Sequence, residues 1–159
     1  MLNVTLITVG TLKEDYLRQA FAEYEKRLRA FCKLELVNLK EEKLPEDPSE
    51  GEIAAALEEE GRRILAALPR GAYRVALCVE GKELSSSELA EKLEQIGTSH
   101  GALVLIIGSS YGLSPSVKSA CDFRLSVSKL TFPHQLMRVI LLETLYRSLG
   151  ILHGTKYHK

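Results

Sequence analysis

The sequence predicts an α/β domain built on a parallel sheet with helices covering both faces. Three observations lead there. Short aliphatic and β-branched runs alternate with longer stretches of helical periodicity along 159 residues, the pattern of βαβ units. Two of the runs, Tyr73–Val79 and Ala102–Ile107, are apolar nearly throughout, as strands covered on both faces are. No internal repeat, low-complexity tract or long linker interrupts the alternation, so residues 1–159 read as one domain.

The elements follow in order. Leu2–Val9 is a strand that breaks at Gly10. Tyr16, Leu17, Ala20, Phe21, Tyr24, Leu28 and Phe31 then mark one helical face. Leu34–Leu39 is a short strand, and Pro45 and Pro48 punctuate the loop after it. Ile53, Leu57, Ile64, Leu65 and Leu68 trace a second amphipathic helix. The strand Tyr73–Val79 is expected to turn at Glu80-Gly81-Lys82. Ser85-Ser-Ser-Glu88 has the spacing of a capping box and opens a helix through Leu89 and Leu93. After the strand Ala102–Ile107 come Gly108-Ser-Ser-Tyr-Gly112 and a short helix opened by Ser114-Pro115. Arg124–Val127 is the last strand, and a long helix closes the fold.

That last helix is the most informative segment. Pro133 suits its first turn, with Thr131 as the expected cap. His134 and Arg138 lie four residues apart and share a face. Cations near a helix N-terminus oppose its dipole, so helix stability does not explain the pair. An anionic ligand would explain it; a core histidine beside a snorkelling arginine is the plain alternative. From Leu136 to Leu149, nine of fourteen residues are apolar, and the exceptions scatter round the helix. A helix apolar on most sides is buried on more than one face, which points to a homodimer.

Composition narrows the classes. At 45% hydrophobic and 26% charged the chain is ordinary for a globular protein, and its apolar runs are too short to span a membrane. Met1–Val9 lacks the cationic lead and cleavage site of a signal peptide. Cys32, Cys78 and Cys121 form no CxxC pair and read as reduced thiols of a cytoplasmic protein. The 21 basic and 21 acidic residues cancel, but residues 40–60 carry a net −7 and residues 123–159 a net +5. The basic quarter could meet phosphates while the acidic stretch forms a solvated helix face.

Ligands of an α/β sheet belong beyond the carboxyl ends of its strands. Three ends qualify: the one leading into Glu80-Gly81, the one leading into Gly108–Gly112, and the one leading into Ser128–Phe132. There is no G-x-G-x-x-G, no G-x-x-x-x-G-K-[ST] and no G-x-S-x-G, so Rossmann, P-loop and α/β-hydrolase chemistry are not supported. No metal signature joins the four histidines.

Ser128-Lys-Leu-Thr-Phe-Pro-His-Gln-Leu-Met-Arg-Val139 resembles the hallmark of the RlmH family. These are SPOUT-class methyltransferases that modify a pseudouridine of bacterial large-subunit ribosomal RNA. Ile7-Thr-Val-Gly-Thr-Leu-Lys13, Ala22–Leu28, Leu84–Ala90, Ile107–Leu113 and Tyr157-His-Lys159 resemble family counterparts too, so the likeness covers essentially the whole chain. It implies a C-terminal trefoil knot, a rare exception to unknotted topology, and a homodimer. It also implies S-adenosylmethionine as methyl donor, with no metal. Carried over by motif, the cofactor site would be Leu77, Gly108, Val127, Ser128, Lys129, Leu130, Thr131 and Phe132. Where similar proteins often read Gly-Gly, this chain reads Gly108-Ser109; if position 109 needed a positive φ, serine would cost about 1 kcal/mol.

The implied chemistry is methyl transfer to N3 of a pseudouridine, which must lose its proton to become nucleophilic. Arg138 is expected to stabilise the resulting charge, His158 or His134 to accept the proton, and Tyr157 to stack on a base. Arg138→Ala should then slow methylation more than it weakens cofactor binding. Gly108 is expected to be a glycine so that the ligand can approach closely. The tail after the last helix is expected to complete the partner's site in the dimer. The assembled ribosome is the expected substrate, because zero net charge gives little non-specific pull on RNA. A non-catalytic ribosome-associated assembly factor of the same fold is the alternative. A flavodoxin-like phosphate-binding module, with Gly10-Thr11 as its only phosphate loop, is a weaker one.

Overall fold

The computed structural model describes residues 1–158, so Lys159 of the Tyr157-His-Lys tail lies outside the described residues. The elements are β1 (Leu2–Val9), α1 (Asp15–Leu28), β2 (Cys32–Leu39), α2 (Glu50–Ala67), β3 (Tyr73–Glu83), α3 (Ser86–Ser99), β4 (Ala102–Ile107), α4 (Pro115–Ala120), β5 (Phe123–Ser126) and α5 (His134–Leu152). The five strands run in the order β2-β1-β4-β3-β5, and each neighbouring pair is parallel.

Alternation along β4 shows how the sequence makes two cores. Leu103 and Leu105 point to one face, where they join Leu93 of α3 and Leu141 and Leu145 of α5. Val104 and Ile106 point to the other, against Ile64 of α2 and Val117 of α4. A central strand can read as continuously apolar because both of its faces are buried.

β1 and β4 have the boundaries expected from sequence, while β2 begins two residues earlier, at Cys32. The capping box at Ser85 forms as expected: Glu88 N donates to Ser85 Oγ at 3.1 Å, and Ser85 N donates to Glu88 Oε2 at 2.8 Å. A second box starts α2, with Glu52 N on Ser49 Oγ at 3.1 Å. Its Ser-x-x-Glu spacing was present in the sequence.

Three expectations change. Glu80-Gly81-Lys82 is not a turn: β3 continues to Glu83, and Leu125 pairs with both Leu77 and Lys82. The residues between Leu77 and Lys82 have no partner in β5, so the strand is irregular at Cys78, Val79 and Glu80. β5 spans 123–126, so Val127 belongs to the loop that follows. Pro133 immediately precedes α5 with ψ 138, and Thr131 does not cap it; no side chain does. The extended ψ of Pro133 delays the helix to His134, while its carbonyl accepts Met137 N at 2.9 Å.

Candidate functional site

The carboxyl ends of β3, β4 and β5 enclose a cavity of about 280 Å³. Seven of the eight cofactor candidates line it: Leu77, Gly108, Val127, Ser128, Leu130, Thr131 and Phe132. Lys129 does not; it is exposed. The sequence missed Cys78 and Val79, which the irregularity in β3 brings to the wall, and Lys118 of α4. Met137 also lines the cavity, and its place three residues after His134 could have indicated it.

The β4 loop is closed from within. A Cβ built on Gly108 would lie 2.1 Å from the carbonyl oxygen of Gly112. Glycine is therefore required at 108 by the loop's own backbone, whatever a ligand requires there. Gly112 takes φ +89 and donates its N–H to Ser109 O at 2.9 Å. Among the described residues no non-glycine has a positive φ, so Ser109 bears none of the strain considered for it. Its side chain is buried, and Oγ donates to Glu60 Oε1 at 2.8 Å.

The other two walls carry charge and bent backbone. Lys118 hydrogen-bonds Glu80 across the cavity wall and holds that carboxyl below its usual range. Beyond β5, Ser126 Oγ donates to Ser128 O at 2.8 Å, and Leu130 N donates to Ser128 Oγ at 3.0 Å. These two bonds fold the 127–132 run over the cavity without committing it to a strand or helix.

His134 lines the cavity and is half-buried. Burial lowers its pKa, and the positive charges of Arg138 and Lys13 lower it further against the opposing pull of Glu41. The imidazole is thus neutral near pH 7. Arg138 does not line the cavity. It is 3% exposed, and its Nη2 donates to the carbonyls of Val9 at 2.8 Å and Gly10 at 2.9 Å. Its Nε is buried without a partner. The partners expected to be an anionic ligand are two backbone carbonyls at the end of β1, so the guanidinium anchors α5 to the sheet.

The tail lies elsewhere. Tyr157 packs edge-on against Tyr146, with ring centroids 4.8 Å apart, and its hydroxyl donates to Glu143 Oε2 at 2.8 Å. That bond pushes the phenol up to about 12. Neither Tyr157 nor the exposed His158 lines the cavity. The tail turns back along α5, so Tyr157 rests on the middle of that helix at Glu143 and Tyr146, not at the His134 end that lines the cavity. Within one chain, then, the structure brings His134 to the cofactor candidates and leaves Tyr157 and His158 apart from them.

Among the described residues there is no cluster of three or more His, Cys, Asp or Glu able to hold a metal, and no helix is long and apolar enough to cross a membrane. Burial pushes the thiols of Cys32 and Cys121 up to about 11, which leaves them protonated at neutral pH.

Comparison with known proteins places the chain in a family. Residues 2–158 match a family model described as a predicted SPOUT methyltransferase. A Bifidobacterium adolescentis protein named ribosomal RNA large subunit methyltransferase H is 50% identical over 99% of this chain and 100% of its own length. A Clostridioides difficile protein of the same name is 43% identical over the same shares. A solved tRNA (m1G37) methyltransferase from Aquifex aeolicus superposes with TM-score 0.54 at 12% identity, covering 91% of this chain and 69% of that one, a likeness of fold alone. On the full-length family match and these identities, the chain belongs to the SPOUT methyltransferases and, within them, to the RlmH family.

Proposed function

We propose that this protein is an S-adenosylmethionine-dependent enzyme that methylates N3 of a pseudouridine in large-subunit ribosomal RNA. It works in the cytoplasm as a homodimer on the assembled ribosome. One observation carries the reading: seven of the eight residues matched to the family's cofactor motif line a single cavity at three strand ends.

The residues present suit that cofactor. Leu77, Leu125 and Phe132 offer apolar surface for an adenine. The run 127–132 belongs to no helix or strand, so its peptide groups are free of any ladder and can meet a ligand's polar atoms. Glu80 and Lys118 both line the wall and pair with each other, so this side offers the ligand a polar ion pair without net charge. S-adenosylmethionine, when bound, supplies an electrophilic methyl group on a sulfonium. The chain's own work is to orient both reactants and exclude water.

His134, neutral and in the cavity wall, has a ring nitrogen able to take the N3 proton. Arg138 acts through it as a positioning residue, because it fixes the first turn of α5 on β1. Tyr157 and His158 of the partner subunit complete the site, one as a stacking surface and the other as a second proton acceptor. Two features support this sharing. Tyr157 and His158 do not line their own cavity, and Leu136, Val139 and Ile140 leave an only half-buried apolar side on α5 for a second copy. The C-terminal trefoil knot belongs to the same reading, supported by family membership and by the position of β5 outside β3.

Mass mapping of large-subunit RNA from cells lacking the protein tests the proposal. One N3-methylpseudouridine should be missing. The purified protein and S-adenosylmethionine should restore it on assembled ribosomes and far less on isolated RNA. An unchanged modification map would instead favour the non-catalytic assembly factor.

A further inference from the structure

We propose that Glu60, which lies behind the cavity lining and is not part of it, is a positioning residue for the cofactor loop, acting through Ser109. The inference rests on reading the cavity as the S-adenosylmethionine site.

Glu60 lies in α2 and is 4% exposed. Its Oε1 accepts the Ser109 hydroxyl at 2.8 Å, and its Oε2 accepts the backbone N–H of Glu42 at 2.9 Å. Among the described residues no cation pairs with it, whereas neighbouring Glu59 pairs with Arg62 and Arg63, and Glu42 with Arg63. Burying a carboxylate against neutral donors alone is costly, and a hydrocarbon of similar size would fill the space more cheaply. What the carboxylate does that a hydrocarbon cannot is accept two hydrogen bonds. One holds the residue beside Gly108, and the other holds the segment that follows β2.

The next residue grips the other end of the same loop. A Cβ built on Gly61 would lie 2.6 Å from Ser114 Oγ, so α2 closes directly on Ser114. Ser114 in turn caps α4 by accepting Val117 N at 3.2 Å. Glu60-Gly61 therefore clamps residues 109 and 114, and everything between Gly108 and Leu113 lines the cavity. The loop's internal bond, Gly112 N to Ser109 O, fixes its shape. Glu60 fixes where that shape sits relative to the sheet. This coupling depends on a serine at 109, since a glycine there would leave Glu60 no side-chain donor in the loop.

The chemistry separates a hydrogen-bonding role from simple packing. In Glu60→Gln, the amide oxygen can accept Glu42 N while the amide nitrogen donates to Ser109 Oγ, so both contacts survive without the charge. In Glu60→Ala and Ser109→Ala the bond is lost. The test is calorimetric titration of S-adenosylmethionine on the purified full chain, with steady-state kinetics on ribosomes. Glu60→Ala and Ser109→Ala should each weaken binding roughly tenfold, the equivalent of one buried hydrogen bond. The loss should fall on KM for S-adenosylmethionine more than on kcat. The double variant should be no weaker than the worse single one, and Glu60→Gln should bind within about twofold of wild type. If Glu60→Ala does not fold, Ser109→Ala against Glu60→Gln decides the matter alone. A wild-type protein that binds, with Ser109→Ala binding equally well, overturns the role of Glu60 and leaves the cavity reading intact. A folded wild-type protein that gives no binding heat overturns the cavity reading and this inference with it.

Discussion

Arg138 donates through Nη2 to the carbonyl of Gly10 at 2.9 Å, and the same nitrogen reaches Val9 O at 2.8 Å. The start of α5 is thereby tied to the end of β1, more than a hundred residues away in sequence. The opposition of this cation to the helix dipole is offset by its bonds to two carbonyls where the strand stops, of which Gly10 O is shared with Asn38 Nδ2.

Arg138→Ala should therefore act first on stability. Loss of a buried side chain and of both carbonyl partners should lower the unfolding free energy by about 3 kcal/mol, read from urea denaturation. Arg138→Lys should recover part of it. An unchanged denaturation midpoint with abolished methylation would restore the substrate-facing role expected from the sequence.

Gly108→Ala should suffice to damage the cofactor site, without the bulk of valine. The added methyl would meet Gly112 O at 2.1 Å, so the loop must open to admit it. Affinity for S-adenosylmethionine should fall by more than tenfold, while the far-ultraviolet circular dichroism stays that of the folded sheet. Wild-type affinity in this variant would separate the loop from the cofactor site.

His134 sets a pH dependence. Its folded pKa lies below the ordinary 6.5, chiefly through burial. Above that ordinary value the imidazole is neutral in both folded and unfolded states, and its contribution to stability is complete. As pH falls below about 6.5 the unfolded state takes up the proton first, so stability declines until pH passes the lowered folded value. Thermal midpoints measured between about pH 7.5 and 5.5 should fall more steeply for wild type than for His134→Gln. Parallel slopes would mean that burial does not perturb this histidine.

The tail prediction concerns the dimer. Deleting 155–159 should leave S-adenosylmethionine binding intact and remove methyl transfer, because Tyr157 and His158 line no part of their own cavity. Mixing this deletion with Gly108→Ala subunits should restore part of the activity. Each mixed dimer then holds one site with an intact loop and an intact partner tail. No recovery in mixtures that demonstrably exchange subunits would exclude the shared site.

Local signals and long-range ones were legible to different degrees. The strands Leu2–Val9 and Ala102–Ile107, and the box at Ser85, are written in adjacent residues, so the sequence could be read directly. The irregularity in β3 was not legible, because Glu80-Gly81-Lys82 has the composition of a turn and only pairing with Leu125 keeps it in the sheet. The candidates Val127–Phe132 stand in one contiguous run and Leu77 and Gly108 at two other strand ends, and all but Lys129 line one cavity. Glu60 was hidden within an acidic run that reads as a solvated face, and nothing local says that one carboxylate of that run turns inward to Ser109. Arg138 is anomalous in the sequence, but its contacts are not written there, since the carbonyls of Val9 and Gly10 become its neighbours only through the fold.

Amide hydrogen exchange with and without S-adenosylmethionine tests the central claim most directly, because it locates the ligand without altering the protein. Slower exchange should appear in 107–113 and 127–132 and around Cys78–Glu80, while β2 and the exposed face of α1 stay unchanged. Protection confined to other segments, or none at saturating ligand, would contradict the assignment of this cavity as the methyl-donor site.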